Sequence, residues 1–557
     1  MLILNCFFIF LFKNWLGPFG IFSTSLTIFI ISIFFLFFNL CYLNSFGFFF
    51  FIDFGRWFFI LDIIDSNFIF IVDNLSILVS LLVLFLSIFA QYFGSEYMYR
   101  EAFIIRLLYL LNMFITSVIF LFFVFDFFLI LIIWELIGLF SLFLVNFYST
   151  RVYTLKAALK TFIFSRLSDL CIFLVYLFFI LIFFTTDFSI IFLKVPFFSF
   201  YNLYIYIWGL NLLNLLALLI VCSGLIKAAQ FFFHTWLPDA MEAPTPASAL
   251  IHSSTLVIMG IYFIIRFSII FEFSFFSNYF LSVIGAITIA FGSISASFQN
   301  DIKKLVAYST ISQMGYLFCG CGFLCYNEVI FYLAIHALNK AFLFILVGYI
   351  VHFFNGNTDL RFMGSFYFYS LDLVFILIII SLNLTGLPFT SGFIAKEFLI
   401  FQTFRDVFIL FFVRFCWLVS FIFTPLYMLL LNLLVMFYSK SAPALLYNSI
   451  SNFFFKQFFY KKIYSELDFS FVFSKLTAFL LFFFYCYINL FGEFFLFIHF
   501  NILTLNNSLL FTFLTNQSVS LFSLHFLSAT FLLYYLNWII AILFFFSLHN
   551  LFKFFIY

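Results

Sequence analysis

Runs of about 20 apolar residues recur along most of the chain and constrain its fold more than any other feature. A helix needs about 20 such residues to cross a bilayer. Charged residues make up only 8% of the 557 and hydrophobic residues 67%, which no soluble fold could bury. The first run lacks the basic start and small-residue cleavage site of a signal peptide. The sequence therefore predicts an all-α polytopic membrane protein.

The apolar runs predict about 14–16 transmembrane helices. The candidate spans are 2–17, 20–43, 75–95, 103–124, 127–147, 161–184, 207–235, 247–268, 277–298, 304–325, 328–353, 368–402, 407–438, 470–490 and 527–548. Residues 48–73 carry four aspartates, and we expect them to form a hairpin or loop outside the spans.

Charged residues between the spans separate onto two sides of the membrane. One side receives Arg100, Arg151, Lys156, Lys303, Lys304, Arg361, Lys440, Lys456, Lys461 and Lys462. The other receives Asp53, Asp62, Asp65, Asp126, Asp187, Lys194 and Arg405. By the positive-inside rule, the basic side faces the cytoplasm or the mitochondrial matrix. The topology after about residue 440 stays open, because segments such as 491–526 could lie flat at the interface.

Two spans are interrupted by proline in similar surroundings. They read GLIKAAQFFFHTWLPDAMEAPTP at 224–246 and NLTGLPFTSGFIAKEF at 383–398. Corresponding interruptions in two halves of a transporter point to its binding site. We therefore predict one repeat over 103–268 and a second over 277–438, flanked by an N-terminal region (1–102) and C-terminal helices (439–557).

Several other classes of function are disfavoured. The net charge of +2 does not suggest a nucleic-acid partner, and the chain lacks a G-x-G-x-x-G nucleotide loop. Cys319, Cys321 and Cys325 lack the C-x-x-C spacing of metal sites, so we interpret them as packing residues. The 110 phenylalanines indicate mutational bias of the kind found in small organellar genomes.

Ionisable residues inside spans cost at least ~2.5–3.5 kcal/mol each and are functional candidates by default. Glu135 lies mid-span with no cation within a helical turn. Lys227 also lies mid-span, where burial disfavours its charge and a nearby carboxylate would favour it. We expect the two to form a pair that binds and releases a proton, although a purely structural pair is the alternative.

Other ionisable residues extend this set. Asp169 follows Arg166 by three residues, so it forms either a local ion pair or a second carboxylate acting on Lys227. His234 follows Lys227 by seven residues, which would put both on one helix face. It either relays protons or hydrogen-bonds the carbonyl groups freed at Pro238.

Further along, His252 precedes three hydroxyl side chains, and His336 and Lys340 share a helix face. The span 304–325 carries a polar stripe of Tyr308, Ser309, Ser312, Gln313 and Tyr316 with Lys303 and Lys304 at its mouth. The stripe lines a water chain or bonds to neighbouring helices. Lys396 and Glu397 follow the second interruption, as part of an exit path or as an interfacial ion pair.

These motifs resemble the antiporter-like chain 5 family of NADH–ubiquinone oxidoreductase, respiratory complex I. The most specific motifs are HTWLPDAMEAPTPASALIHSSTLVIMGIYFIIRF, QNDIKKLVAYSTISQMGY and LPFTSGFIAKEF. WELIG, HALNKAFLF and TDLRFMG agree in order and spacing, and the similarity covers about 70–440. The resemblance implies two inverted repeats of five helices, each with a broken helix, and a polar axis within the membrane.

The resemblance also implies roles for individual residues. Glu135, Asp169 and Lys227 match the first-repeat charge site, and His252, His336 and Lys340 match the connecting axis. Lys396 matches the second-repeat lysine, with Glu397 where the family often has aspartate. Tyr332 stands where bacterial relatives have a histidine, and 490–527 is short for the family's lateral helix.

The resulting hypothesis is a proton-translocating subunit of NADH:ubiquinone oxidoreductase in the mitochondrial inner membrane. It implies no cofactor in this chain, with FMN and iron–sulfur clusters in partner subunits. Its partners would be other membrane-arm subunits, inner-membrane lipids and protons. The alternatives are a subunit of an Mrp-type sodium/proton antiporter and a scaffold chain that no longer pumps.

Overall fold

The computed structural model describes residues 1–46, 49–60, 64–99, 101–198, 202–205, 208–253, 255–354, 356–364, 366, 371–387, 390–402 and 410–436. Several predictions fall outside these residues: the spans at 470–490 and 527–548, the segment 491–526, and the C-terminal region from 439. The positions of Asp62, Arg100, Arg405 and the basic residues from Lys440 onward lie outside them too.

Helices make up most of the described chain. Their bounds are α1 Leu2–Phe46, α2 Asn74–Tyr97, α3 Ile104–Phe123, α4 Phe127–Val145, α5 Val152–Phe183, α6 Phe188–Phe198, α7 Leu212–Lys227, α8 Trp236–Asp239, α9 Thr245–Ser253, α10 Leu256–Arg266, α11 Ser268–Glu272, α12 Phe275–Ser297, α13 Ile302–Gly322, α14 Tyr326–Phe353, α15 Leu371–Thr385, α16 Ser391–Gln402 and α17 Leu410–Met436. Within the described ranges, nine helical stretches are long and apolar enough to cross a membrane, and four shorter apolar helices accompany them. The all-α polytopic membrane class predicted from the sequence is confirmed.

The two N-terminal runs are two helical segments that meet at a break within α1. The runs predicted at 2–17 and 20–43 meet where Gly17 has a non-helical φ of 62° immediately before Pro18. Proline cannot donate a helical hydrogen bond, and glycine tolerates positive φ. The helical backbone is therefore interrupted where the gap between the two runs was predicted.

Residues 50–60 and 64–72 form two antiparallel strands, in agreement with a hairpin, one of the two forms expected for this stretch. Strands β1 (Phe50–Ile60) and β2 (Ile64–Val72) pair antiparallel, from Phe50 opposite Val72 to Ile60 opposite Ile64. The register shifts near Gly55, whose φ is 96°. A second short pair, β3 (Asn202–Ile205) and β4 (Trp208–Asn211), precedes α7, where the sequence predicted the start of a span.

The first interruption begins immediately after Lys227, the last residue of α7. Backbone carbonyl groups left without a helical partner there accept hydrogen bonds from side chains. Trp236 Nε1 donates to Ile226 O at 3.0 Å, and Gln230 Nε2 donates to Ala228 O at 3.1 Å. Ala229 has a φ of 51°. Buried backbone polar groups in a membrane need such partners, so the break has a fixed structure.

The helix after this break is itself divided. Helix α9 ends at Ser253 and α10 begins at Leu256. Hydroxyl groups bond back to the last turn of α9, Thr255 Oγ1 to Leu250 O at 2.8 Å and Ser253 Oγ to Ala249 O. His252 therefore lies in the last turn of α9, within the stretch Thr245–Arg266 that is long and apolar enough to cross a membrane, in agreement with the span predicted at 247–268.

The described chain forms two compact units. The first contains residues 1–296, 301–358 and 395–414, and the second contains 297–300, 359–394 and 415 onward. Within the second unit, α15 ends at Thr385, and Gly386 after it has a φ of 77°. Asn383 Oδ1 accepts hydrogen bonds from Gly392 N at 2.6 Å and Ser391 Oγ at 3.0 Å. These bonds hold the second interruption. The division into repeats at 103–268 and 277–438 stays a prediction.

Candidate functional site

A buried carboxylate, Asp169 on α5, lies between two cations. Its Oδ1 is 3.6 Å from Lys227 Nζ at the end of α7, and its Oδ2 is 2.8 Å from Arg166 Nη2 one turn earlier on α5. The side chains of Lys227 and Asp169 are 2% and 8% exposed. Both alternatives raised for Asp169, a local pair and a partner for Lys227, are therefore present together.

Glu135 on α4 contacts a different cation from the one we expected. Its Oε2 lies 3.8 Å from Arg166 Nη1, and among the described residues the carboxylate within 4 Å of Lys227 is that of Asp169. The predicted Glu135–Lys227 pair is thus replaced by a chain of charges. It runs from Glu135 through Arg166 and Asp169 to Lys227, and Glu135 is its exposed end, since 47% of its side chain is accessible.

Two residues of α4 make room for Lys227. A Cβ atom at Gly138 would lie 3.5 Å from Lys227 Nζ and 3.3 Å from Arg166 Nη2, so a side chain there would contact both cations. The Trp134 ring lies 5.3 Å from Lys227 Nζ, within the range of a cation–π contact. Its Nε1 donates to Ser168 Oγ at 3.3 Å, which fixes the ring.

His234 does not share a helix face with Lys227. Because α7 ends at Lys227, the seven-residue spacing crosses irregular backbone in which Phe232 has a φ of 74°. The same-face argument is therefore wrong. The half-buried His234 ring lies 4.6 Å from the Phe291 ring, centroid to centroid.

His252 lies between the first charge cluster and α14. Its imidazole is fully buried, and neither ring nitrogen has a hydrogen-bond partner within the described part of the chain. On one side the Trp236 ring is 6.1 Å away, and on the other the Phe344 ring of α14 is 6.4 Å away. Trp236 bonds to Ile226 O next to Lys227, so it connects the two sites.

The second cluster combines α13, α14 and α16. His336 and Lys340 on α14 and Lys396 on α16 are each no more than 2% exposed. Lys340 Nζ donates to Ser309 Oγ on α13, and both lysine charges are close enough to act on His336. Glu397 lies next to Lys396 on α16 but is only half-buried.

The predicted mouth residues lie near the first interruption. Lys304 Nζ is 3.4 Å from Asp301 Oδ2, and the charge of Glu242 acts on Lys303. Glu242 belongs to the 3-10 turn Ala240–Glu242 that follows α8. On α8 itself, Asp239 pairs with Lys160 of α5 at 2.5 Å.

Together these residues can bind and transfer protons. The described residues contain no group of three His, Cys, Asp or Glu side chains arranged to hold a metal ion. Sequence reasoning did not single out Gly138, Trp134 or Trp236. Gly138 and Trp134 flank Glu135 in the WELIG motif, a local signal, whereas nothing in the sequence indicates that Trp236 contacts both sites.

Sequence reasoning also missed an ion pair that joins the start of α2 to the end of α10. Asp73, the N-cap of α2, forms a two-pronged ion pair with Arg266 at the end of α10, and Arg266 bonds to Tyr262. The Asp73 carboxyl is buried, which raises its pKa, but the Arg266 guanidinium outweighs this effect and lowers it overall. Only the fold brings these two residues together, 193 positions apart.

The chain was compared with known proteins. The model of the family described as NADH:quinone oxidoreductase/Mrp antiporter, transmembrane, matches residues 125–424, more than half of the 557. The chain is 41% identical over 439 residues to NADH-ubiquinone oxidoreductase chain 5 of Nyctotherus ovalis, covering 77% of this chain and 23% of that protein. It is 39% identical over 337 residues to the Paramecium tetraurelia protein of the same name, covering 60% and 58%. The alignments thus span less than two thirds of the length of these relatives.

A solved structure shares the fold. It is that of the Mrp complex from Dietzia sp. DQ12-45-1b, with a TM-score of 0.66 and 23% identity, covering 78% of this chain and 47% of the matched chain. At this identity the likeness concerns the fold alone. The family is shown by the model that matches residues 125–424. The chain belongs to the NADH:quinone oxidoreductase/Mrp antiporter transmembrane family.

Proposed function

We propose that the chain is a proton-translocating subunit of NADH:ubiquinone oxidoreductase in the mitochondrial inner membrane. The observation that carries the proposal is the series of buried ionisable groups, from Asp169 and Lys227 through His252 to Lys340 and Lys396, in apolar surroundings. Such groups are costly in a membrane and typical of proton relays. The names of the eukaryotic relatives support this enzyme.

The first cluster supplies a step that external energy can drive. The Asp169 carboxylate stabilises the ammonium form of Lys227, and Coulomb's law with an effective dielectric constant of about 20 gives about 4–5 kcal/mol at their separation. Doubling that separation would remove about half, roughly 2 kcal/mol. Moving one proton against 100 mV costs about 2.3 kcal/mol. A shift of a few ångströms at Asp169 therefore has the right order of magnitude.

The same geometry supports a proposed direction of transfer. When Asp169 moves away, Lys227 is left beside Arg166 and releases its proton. The interruption of α7 directly after Lys227 opens its side towards Trp236 and His252, and α14 continues the path to His336 and Lys340. Lys396 is the last buried lysine of the series, and Lys303 and Lys304 belong to the mouth of the path.

The partners we propose are other membrane-arm subunits, with lipids around the remaining surface. Glu135 is 47% and Arg166 33% exposed on a surface that also exposes Leu136 and Leu170. Charges facing lipid would be costly, so a neighbouring subunit with polar groups should cover them. FMN and iron–sulfur clusters would lie in partner subunits, which carry out electron transfer and supply the energy.

The alternative is a subunit of an Mrp-type sodium/proton antiporter. The family description includes both kinds of complex, and the solved structure with this fold is an Mrp complex. In that case the same buried groups would move protons against sodium ions without redox chemistry.

The deciding experiment starts from native membranes. We would solubilise them gently, separate the complexes on a native gel and locate this chain by mass spectrometry. We expect it in a large band that oxidises NADH with quinone and is inhibited by rotenone or piericidin. Migration in a small cation-transport assembly, away from every NADH-oxidising band, would refute the proposal and favour the antiporter.

A further inference from the structure

Strand β1 exposes apolar side chains on both of its faces. Every residue from 50 to 57 is exposed, whereas the residues of β2 from 66 to 72 are buried or only partly exposed. The apolar side chains of β1 that are 39–69% exposed are Phe50, Phe51, Ile52, Phe54 and Trp57. Because successive side chains of a strand point to opposite faces, the described chain leaves both faces of β1 uncovered.

One backbone edge of β1 is open as well. The described sheet consists of β1 and β2, and the far edge of β2 is used, since Phe125 N donates to Ile69 O at 2.9 Å. The described chain therefore offers no strand to the outer edge of β1. Backbone groups on such an edge cannot lie in hydrocarbon, and neither can the exposed Asp53 and Arg56 of the same strand. This edge needs water or lipid headgroups around it.

The two strands lie at the level where membrane helices end. The Trp57 ring is 5.6 Å from that of Phe128, the second residue of α4, and the Phe70 ring is 5.2 Å from that of Phe120 in the last turn of α3. Helix α3 has 20 residues, and such a helix is about as long as the hydrocarbon core is thick, about 30 Å. The aromatic side chains of β1 and β2 therefore lie near the boundary between hydrocarbon and headgroups.

The exposed surface of β1 continues an exposed surface of α1. Tyr42, near the end of α1, stacks on Phe50 with ring centroids 5.7 Å apart. Tyr42 is itself exposed, as are Phe34 and Phe38 one and two turns earlier. These residues belong to the stretch Trp15–Leu43, which is long and apolar enough to cross a membrane. An apolar surface exposed on such a helix faces lipid, and the surface of β1 extends it.

We propose that β1 lies in the interfacial layer of the membrane, on the side to which the sequence assigns Asp53, and that phospholipids cover it. Only this layer meets both requirements of the strand. Its aromatic side chains prefer the interface to water, whereas its open edge and its charged side chains exclude it from the hydrocarbon core. The strand would thus anchor the end of α1 beside α3 and α4 at a fixed depth.

Another protein is the alternative occupant, because an open strand edge can pair with a strand of a partner. Lipid is favoured for two reasons: both faces of β1 are apolar and uncovered, and they continue the lipid-facing surface of α1. The inference does not rest on the proposed function, since both kinds of complex in this family are embedded in a membrane.

The test labels the native complex in vesicles of phosphatidylcholine and phosphatidylethanolamine with three light-activated carbene probes. The first is a phospholipid that carries the reactive group next to its glycerol, the second carries it at the end of an acyl chain, and the third is a small water-soluble molecule. Mass spectrometry of peptides then locates the labelled residues. The chain contains its own references, Tyr42 for the lipid interface and the exposed Arg361, between α14 and α15, for water.

We expect residues 50–57 to be labelled by the glycerol-level lipid as strongly as Tyr42. Their ratio of this label to the water-soluble label should exceed that of Arg361 about tenfold, which corresponds to a preference of ~1.4 kcal/mol. Phe54→Asp should lower the ratio for the strand, and Phe54→Trp should keep it. The matched control is Phe362→Asp, since Phe362 is 52% exposed and Phe54 69%. It should leave the labelling of β1 unchanged, and a native gel would check that every variant assembles.

The results that would overturn the inference differ from one another. Labelling of 50–57 by the water-soluble probe to the extent of Arg361 would place the strand in water. Stronger labelling by the acyl-end lipid than by the glycerol-level lipid would place it in hydrocarbon. Protection from all three probes, together with a cross-link from β1 to another subunit, would show that a protein covers it. An unchanged ratio in Phe54→Asp would refute the anchoring role of the aromatic side chains. None of these results bears on proton translocation, which the native-gel experiment decides separately.

Discussion

Removing the Asp169 carboxylate alone should destabilise the chain more than removing the Asp169 and Lys227 charges together. In Asp169→Asn, Lys227 stays buried beside Arg166 without the negative charge 3.6 Å away. The lost interaction is about 4–5 kcal/mol at an effective dielectric constant of about 20, in agreement with about 3–5 kcal/mol for breaking a buried pair. In the double variant Asp169→Asn/Lys227→Met, no lysine charge is left uncompensated, so most of this loss should be recovered.

The assay separates stability from function. Solubilised complexes would be heated in steps, and the fraction of the chain that remains in the native-gel band would be measured at each temperature. We expect the single variant to leave the complex at the lowest temperature and the double variant to approach the unchanged chain, while proton transfer is lost in both. Recovery of proton transfer in the double variant would contradict the role of Lys227.

A half-exposed ion pair provides the control. Lys160 and Asp239 lie 2.5 Å apart, but their side chains are 38% and 43% exposed. Such pairs contribute about 1 kcal/mol or less, so Lys160→Met should have little effect on the same assay. The reasoning is refuted if Lys160→Met destabilises the complex as much as Asp169→Asn, because burial would then not determine the stability lost when an ion pair is broken. It is also refuted if the double variant is no more stable than the single one.

Three further predictions concern other contacts. Gly138→Val should reduce proton transfer more than Gly138→Ala, because a branched side chain would push Lys227 from Asp169; equal rates would contradict this. Burial raises the pKa of Asp126, which pairs across a β-bridge with Asp187, despite hydrogen bonds that lower it. The stability of this contact should therefore fall as pH rises through that raised pKa, and Asp126→Asn should abolish the dependence, as measured by hydrogen exchange of 124–128. The pKa of Asp73 is lowered instead, so the stability that its carboxylate contributes should fall as pH decreases. Asp73→Asn should lower the free energy of unfolding by about 3–5 kcal/mol at neutral pH.

Much of the architecture could be predicted from hydrophobic run length alone. A bilayer imposes one dominant requirement, about 20 apolar residues for each span, so the ends of α2, α3 and α4 were predicted to within two residues. Helix α5 begins at Val152, nine residues before its predicted start at 161. The two interruptions and the break in α1 at Gly17 were predicted because proline and glycine act locally on the backbone.

The partners of the charged residues could not be predicted in the same way. The sequence places Lys227 within an apolar run, but its neighbours depend on how α4, α5 and α7 are rotated about their axes. Packing of small residues sets that rotation, as at Gly138, and it is not encoded in any single helix. The expected Glu135–Lys227 pair failed for this reason, and the same-face argument for His234 failed because α7 ends earlier than its apolar run.

The sequence by itself determined that this is a membrane protein of many helices, and which ionisable residues lie within its apolar runs. It could do so because the cost of apolar exposure to water and of charge in hydrocarbon belongs to each residue separately. Only the tertiary structure decided that Asp169 pairs with both Arg166 and Lys227, and that Glu135 is partly exposed. Electrostatic and hydrogen-bond energies depend on distance and direction between residues, and only the packing of helices sets these.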